Sequence, residues 1–170
     1  MKRQTPVTRW MIVTTCAVFA FALGSTVLAA NPERPYRGSC STVIMPLTPP
    51  GVFPQQLHID YECTLAHLGR TTAVVTQTVT PAAPPADSVV PLLVQNKTTY
   101  TAANGDQLFA TFTGTAMLNL ETGDVTFIGV ENFKGGTGRF AKAAGSAQLE
   151  GTASVLTNRG FFASKGRISY

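Results

Sequence analysis

The densest local signal in this sequence is a glycine-rich segment near its C-terminal end, residues 135–140, which read GGTGRF. Gly135, Gly136 and Gly138 give access to backbone conformations that other residues reach only with strain, so the chain can turn sharply or pass close to a neighbour. Residues 148–155 follow and alternate apolar and polar side chains as a half-buried strand does. The segment therefore predicts a bend between two strands.

The glycines do not match the two common phosphate-binding loops. A dinucleotide-binding loop needs a third glycine where Ala141 stands, and a P-loop ends in Gly-Lys-Ser/Thr rather than Gly-Arg-Phe. Two interpretations remain. The backbone could form a nest for an anion with Arg139 as counter-charge. The favoured interpretation is a bend in which Phe140 packs inward and Arg139 pairs with a carboxylate such as Glu131 or Asp106.

Residues 1–30 have the pattern of an export signal. Three Lys and Arg form a positive start, residues 10–23 are mostly apolar, and residues 27–30 offer small side chains for cleavage. The alternative is a membrane anchor. It is disfavoured because Thr14 and Thr15 interrupt the apolar run, which is short of the roughly 20 residues that a span needs. We therefore expect a secreted or periplasmic protein with no stable membrane anchor after processing.

Removing that segment changes the charge of the chain. The whole sequence has 13 Lys and Arg against 9 Asp and Glu, a net charge of +4, but three of the bases precede residue 31. Residues 31–170 are therefore nearly neutral and have the length of a single domain. They contain no run of charge of the kind that binds nucleic acid or an acidic membrane, so neither partner is expected. The oligomeric state does not follow from the sequence.

Cys40 and Cys63 are the two cysteines that follow residue 30. An even number of cysteines in an oxidising compartment predicts a disulfide, which would stabilise the fold by about 3 kcal/mol. The alternative is a metal site that also uses His58 and His67. Their spacing matches no zinc template, so no metal is expected.

The pattern of strands and turns predicts the fold. About eight strand-like segments recur at short intervals without a convincing amphipathic helix, and Asn104-Gly105 is the strongest hairpin turn. Proline-rich residues 46–54 and 81–87 exclude helices and interior strands. The sequence therefore predicts an all-β fold, an eight-stranded antiparallel β-barrel over residues 31–170. Such an interior holds packed side chains or one small ligand.

Three polar residues are candidates for ligand binding: His67, Arg70 and Arg139. His67 and Arg70 follow a predicted strand, where they would face a ligand or merely pair at the rim of the sheet; the rim is favoured. A separate polar group, His58, Asp60 and Glu62, shares one face of the predicted strand at residues 55–67. These three side chains could do acid-base chemistry, but a solvated strand face is favoured.

Several segments resemble a known group of proteins. Residues 135–140, with Ala144-Gly145 after them, resemble the glycine-rich segment of dirigent proteins and of the wider allene oxide cyclase-like barrels. Residues 66–70 (AHLGR) and 103–106 (ANGD), in that order, resemble segments of small exported bacterial proteins. The resemblance covers roughly the last hundred residues and implies an eight-stranded antiparallel barrel. None of the acids, arginines or tyrosines of those plant families can be matched to a position here.

Three hypotheses of function follow. The first is an exported binding module whose barrel holds a small apolar or aromatic ligand. The second is an isomerase-like, cyclase-like or dirigent-like barrel that orients a reactive intermediate. The third is a non-catalytic surface or matrix protein with a packed barrel. The chain has no Gly-x-Ser-x-Gly and no His-Glu-x-x-His, so an enzyme is disfavoured and no cofactor is expected.

Overall fold

A computed structural model describes residues 31–85 and 87–170, and the predicted export signal lies outside them. These described residues form eight strands and one short 3-10 turn. They are β1 (Arg34–Pro46), β2 (Gln55–Leu65), β3 (Gly69–Pro81), β4 (Val89–Ala102), β5 (Gln107–Asn119), β6 (Asp124–Gly136), the turn η1 (Gly138–Phe140), β7 (Ala144–Ser154) and β8 (Arg159–Ser169).

The strands close into one barrel. Each strand pairs antiparallel with the next along the chain, and β1 pairs with β8 to complete the circle. Because closure leaves no unpaired strand edge, every strand is protected on both sides. The predicted fold, an all-β antiparallel barrel of eight strands, is confirmed. None of the described residues forms a helix long and apolar enough to cross a membrane.

Side chains alternate between the interior and the outer wall, as the two-residue period of a strand requires. In β2 the buried positions are Ile59, Tyr61, Cys63 and Leu65, with exposed residues between them. The other strands continue this inner layer with mostly apolar and aromatic side chains. The core of the protein is therefore the inside of the barrel.

The predicted disulfide is confirmed. Cys40 of β1 lies directly opposite Cys63 of β2 in the strand register, and the two side chains are bonded inside the barrel. The bond closes a loop with a sequence separation of 23 residues. A disulfide is consistent with an oxidising compartment outside the cytoplasm, whereas export itself stays a prediction.

The two ends of the barrel differ. One end, which we call the plugged end, carries the β2–β3 and β4–β5 turns, the longer β6–β7 connection, the start of β1 and the end of β8. The other four connections lie at the opposite end. The β6–β7 connection folds across its end of the barrel and buries Phe140 completely beneath it.

The glycine-rich segment is needed for this plug. Gly138 has a φ of +53°, and a Cβ there would overlap the carboxylate of Asp106. A Cβ on Gly136 would likewise overlap the carbonyl oxygen of Gln107. The segment is the predicted bend, with Phe140 packed inward, because only residues without a side chain fit between these backbone and carboxylate atoms.

Candidate functional site

Arg139 and His67 fix the plug to the rim of the barrel. The Arg139 guanidinium donates a hydrogen bond from Nη2 to the carbonyl oxygen of His67 at 2.7 Å, and its Nε lies 3.6 Å from Oδ2 of Asp106. The His67 ring reaches the carbonyl oxygen of Pro35, at 2.8 Å from Nε2. These contacts agree with the interpretation of a bend held by an ion pair.

Arg70 is separate from these two side chains. It is exposed at the beginning of β3, at a position whose side chain lies on the outer wall, because the next residue, Thr71, faces inward. The structure therefore brings His67 and Arg139 together at the rim but places Arg70 outside the barrel. A role for any of the three in ligand binding stays a prediction.

The interior contains a polar cluster that the sequence analysis did not single out. We call it the tyrosine–glutamate cluster; its members are Tyr36, Tyr61, Tyr100 and Glu131. Glu131 lies at an inward position of β6 and is only 1% exposed. The Tyr100 hydroxyl donates a hydrogen bond to Glu131 Oε1 at 2.8 Å. A carboxyl group is thus held inside the barrel by a hydroxyl from β4.

Two polar atoms of this cluster have no hydrogen-bond partner among the described residues. They are the Tyr36 hydroxyl and Oε2 of Glu131, both fully buried. An unsatisfied buried polar group costs about 1–3 kcal/mol, so native structures leave few of them. One donor and one acceptor therefore remain available inside the barrel for a molecule that can reach them.

Burial sets the protonation of the cluster. It raises the pKa of Glu131 from 4.5 to about 7, against the smaller lowering effect of the Tyr100 hydrogen bond. The pKa values of Tyr36, Tyr61 and Tyr100 are all raised above the ordinary tyrosine value. Burial is the larger cause, and the nearby charge of Glu131 is the second. The tyrosines therefore keep their protons at all physiological pH values, while the carboxyl group exchanges its proton near neutrality.

Aromatic rings surround the cluster. Phe133 contacts Tyr36 edge to face, with ring centroids 4.7 Å apart, and Phe162 contacts Tyr61 in the same way at 5.0 Å. These contacts pack aromatic rings around the buried hydroxyl and carboxyl groups of the cluster.

Two grooves lie on the outside of the barrel, away from the cluster. They run over β5 to β8 and have volumes of about 540 and 530 Å³. Most of the side chains that line the larger groove point outward, among them Met117, Ile128 and Phe161. Neither groove adjoins Arg70, Arg139 or Glu131.

The sequence contained a signal for Glu131. Every second residue of this strand lies on the same face, and that face carries Val125, Phe127, Gly129, Glu131 and Phe133. Glu131 is its one charged residue, and the others are apolar or glycine. An acidic residue on the apolar face of a strand is a candidate for a functional site, because burying a carboxylate is costly. From the sequence, Glu131 was expected only as one of two possible carboxylate partners of Arg139, and the structure pairs Arg139 with the other, Asp106.

Within residues 31–85 and 87–170, no three or more His, Cys, Asp or Glu side chains are grouped so that they could hold a metal ion. Comparisons with protein-family models, with curated proteins and with solved structures give no match.

Proposed function

We propose that this protein is a binding module that holds a small, mostly apolar or aromatic ligand at the tyrosine–glutamate cluster. One observation carries the proposal: the Tyr36 hydroxyl and Glu131 Oε2 are buried in an aromatic interior without partners. A ligand with a hydroxyl or amino group would donate to the Glu131 oxygen and accept from Tyr36. It would thereby satisfy two polar groups that are otherwise a cost to the folded state.

A phenol fits this chemistry best. Its ring packs against Phe133 and the tyrosine rings, and its hydroxyl both donates and accepts a hydrogen bond. Because the cluster is fully buried, one end of the barrel must open for the ligand to enter. The plug is the candidate for that movement, since the β6–β7 connection is the longest connection at its end of the barrel.

A second candidate is an isomerase-like or cyclase-like reaction. The Glu131 carboxyl group favours it, because a pKa of about 7 suits a general acid or base at neutral pH. The Tyr100 hydroxyl, hydrogen-bonded to this carboxyl group, lies beside it. The resemblance to allene oxide cyclase-like and dirigent barrels supports the same proposal through the glycine-rich segment and the eight-stranded barrel that it implies. Membership of that group is proposed on these two features.

The binding proposal is tested by thermal-shift screening of phenols and apolar compounds against the wild-type protein and two variants. A ligand whose free concentration is 100 times its Kd stabilises the folded protein by about 2.7 kcal/mol. We expect Tyr36→Phe and Glu131→Gln to weaken binding by roughly ten-fold or more, the equivalent of one lost hydrogen bond to a buried group. Glu150→Gln, on the exposed face of β7, is the matched control and leaves binding unchanged.

The Tyr36→Phe variant also separates a ligand site from a structural role. Without ligand, it removes a buried hydroxyl that has no partner, so the free protein should keep its stability or gain some. A clear loss of stability in the free variant would mean that the hydroxyl is already satisfied and would contradict the proposal. The proposal would also be contradicted if no compound in the screen raised the melting temperature of the wild-type protein. That result favours the hypothesis of a non-catalytic surface protein.

A further inference from the structure

The fold collects basic side chains at the plugged end, although the sequence shows no basic run. Of the ten Lys and Arg in residues 31–170, eight lie in the turns of that end or within four residues of its strand ends, and all eight are exposed. They are Arg34, Arg37, Arg70, Lys134, Arg139, Lys142, Lys165 and Arg167.

Acidic side chains are distributed differently. By the same criterion the acids of the plugged end are the exposed Glu33 and Glu62 and the half-buried Asp106. The opposite end has one basic side chain, Arg159, and four acidic ones: Asp87, Glu121, Asp124 and Glu150. A domain that is nearly neutral as a whole is therefore strongly polarised along the barrel axis, with the plugged end positive.

Most of this positive charge is not neutralised within the protein. Arg167 pairs with Glu33 at 2.6 Å and Arg139 with Asp106 at 3.6 Å. No other ion pair in the described part of the chain involves a basic residue of this end. Six cations thus remain without a carboxylate partner.

Two of these cations face each other directly. Arg37 of β1 lies opposite Lys165 of β8 in the strand register, and both are exposed on the outer wall. Like charges at directly opposite positions destabilise a sheet. The pair is therefore unfavourable for the fold alone, and an external anion lying against it would relieve the repulsion.

The distribution of charges identifies the kind of anion. The basic residues lie on β1, β3, β6, β8 and the β6–β7 connection, so they are spread over several strands of the rim and do not line one groove. A linear polyanion would need a groove or stripe, whereas a rim of charge matches a flat anionic surface.

We propose that the plugged end is a docking surface for a lipid bilayer that contains anionic headgroups. Binding is electrostatic and reversible, with no insertion of the barrel, and it does not depend on the proposed interior ligand. Lys and Arg side chains near an anionic bilayer each strengthen attachment by about five-fold, and the effect extends only over a Debye length.

The test is flotation of the exported protein with vesicles of phosphatidylcholine that contain 0 or 30% phosphatidylglycerol. The double variant R37Q/K165Q removes two charges from the docking surface, and K97Q/R159Q removes two charges elsewhere. We expect the wild-type protein to bind only to the anionic vesicles. The affinity for these vesicles should fall by roughly 25-fold in R37Q/K165Q and by less than two-fold in K97Q/R159Q. Raising the salt from 50 to 500 mM should abolish the attachment.

Equal losses in the two double variants, or equal binding to neutral and anionic vesicles, would overturn the proposal. So would tight binding of a single-stranded oligonucleotide by a protein that does not float with vesicles, because the partner would then be a linear polyanion. Both double variants should melt within a few degrees of the wild-type protein. R37Q/K165Q is expected to be the more stable of the two, since it relieves the like-charge pair.

Discussion

Replacing Phe140 by alanine is expected to lower the free energy of unfolding by about 3–5 kcal/mol, the range for truncating a fully buried phenylalanine. Phe140 is 0% exposed and stacks edge to face on Tyr170, with ring centroids 5.0 Å apart. The truncation leaves a cavity under the plug, which the tightly constrained glycines on either side cannot readily fill. Denaturant unfolding at one pH, with the slopes of both proteins compared, measures the change.

The matched control for this variant is Phe161→Ala. Phe161 is 53% exposed on the outer wall, so its truncation removes little buried surface and should cost about 1 kcal/mol or less. If Phe140→Ala costs no more than Phe161→Ala, the β6–β7 connection is not a packed plug and the account of the glycine-rich segment is wrong.

The second large effect is a dependence of stability on pH that arises from Glu131. Its pKa is about 7 in the folded protein against an ordinary 4.5, so between these pH values the folded state binds more protons than the unfolded chain. Stability therefore falls as the pH rises through this window. At 1.36 kcal/mol per pKa unit, the loss is about 3.5 kcal/mol between pH 4 and pH 8.

Other groups also titrate in this range, so the prediction concerns the difference between wild type and Glu131→Gln. Unfolding free energies of both proteins at pH 4, 6 and 8 give that difference directly. We expect the wild-type protein to lose stability relative to the variant as the pH rises, with most of the change between pH 4.5 and 7. A difference that stays constant, or that grows in favour of the wild type at high pH, would show that Glu131 is not desolvated.

Much of the fold could be predicted from local sequence. Alternating side chains marked the strands, Asn104-Gly105 marked a hairpin, and residues 135–140 marked a bend, because these signals depend on neighbours in the chain. The Cys40–Cys63 pair followed from the number of cysteines and the compartment. Closure of the barrel was inferred from the number of strands and is confirmed by the pairing of β1 with β8.

The interior cluster could not be predicted in the same way. Tyr36, Tyr100 and Glu131 come from three strands that are far apart in sequence, and only the register of the closed barrel brings a hydroxyl of β4 to a carboxyl of β6. The charge at the plugged end has the same origin. Arg37 and Lys165 are remote along the chain and become direct neighbours only when β1 pairs with β8.

The central claim is that the barrel encloses a desolvated carboxyl group among tyrosine rings. It is tested most directly by carbon-13 NMR titration of glutamate side-chain carboxyl groups, with Glu131→Gln used to assign the Glu131 resonance. We expect this resonance to titrate with a midpoint near pH 7. A midpoint below pH 5 for Glu131 would place its carboxyl group in contact with water and would contradict the account.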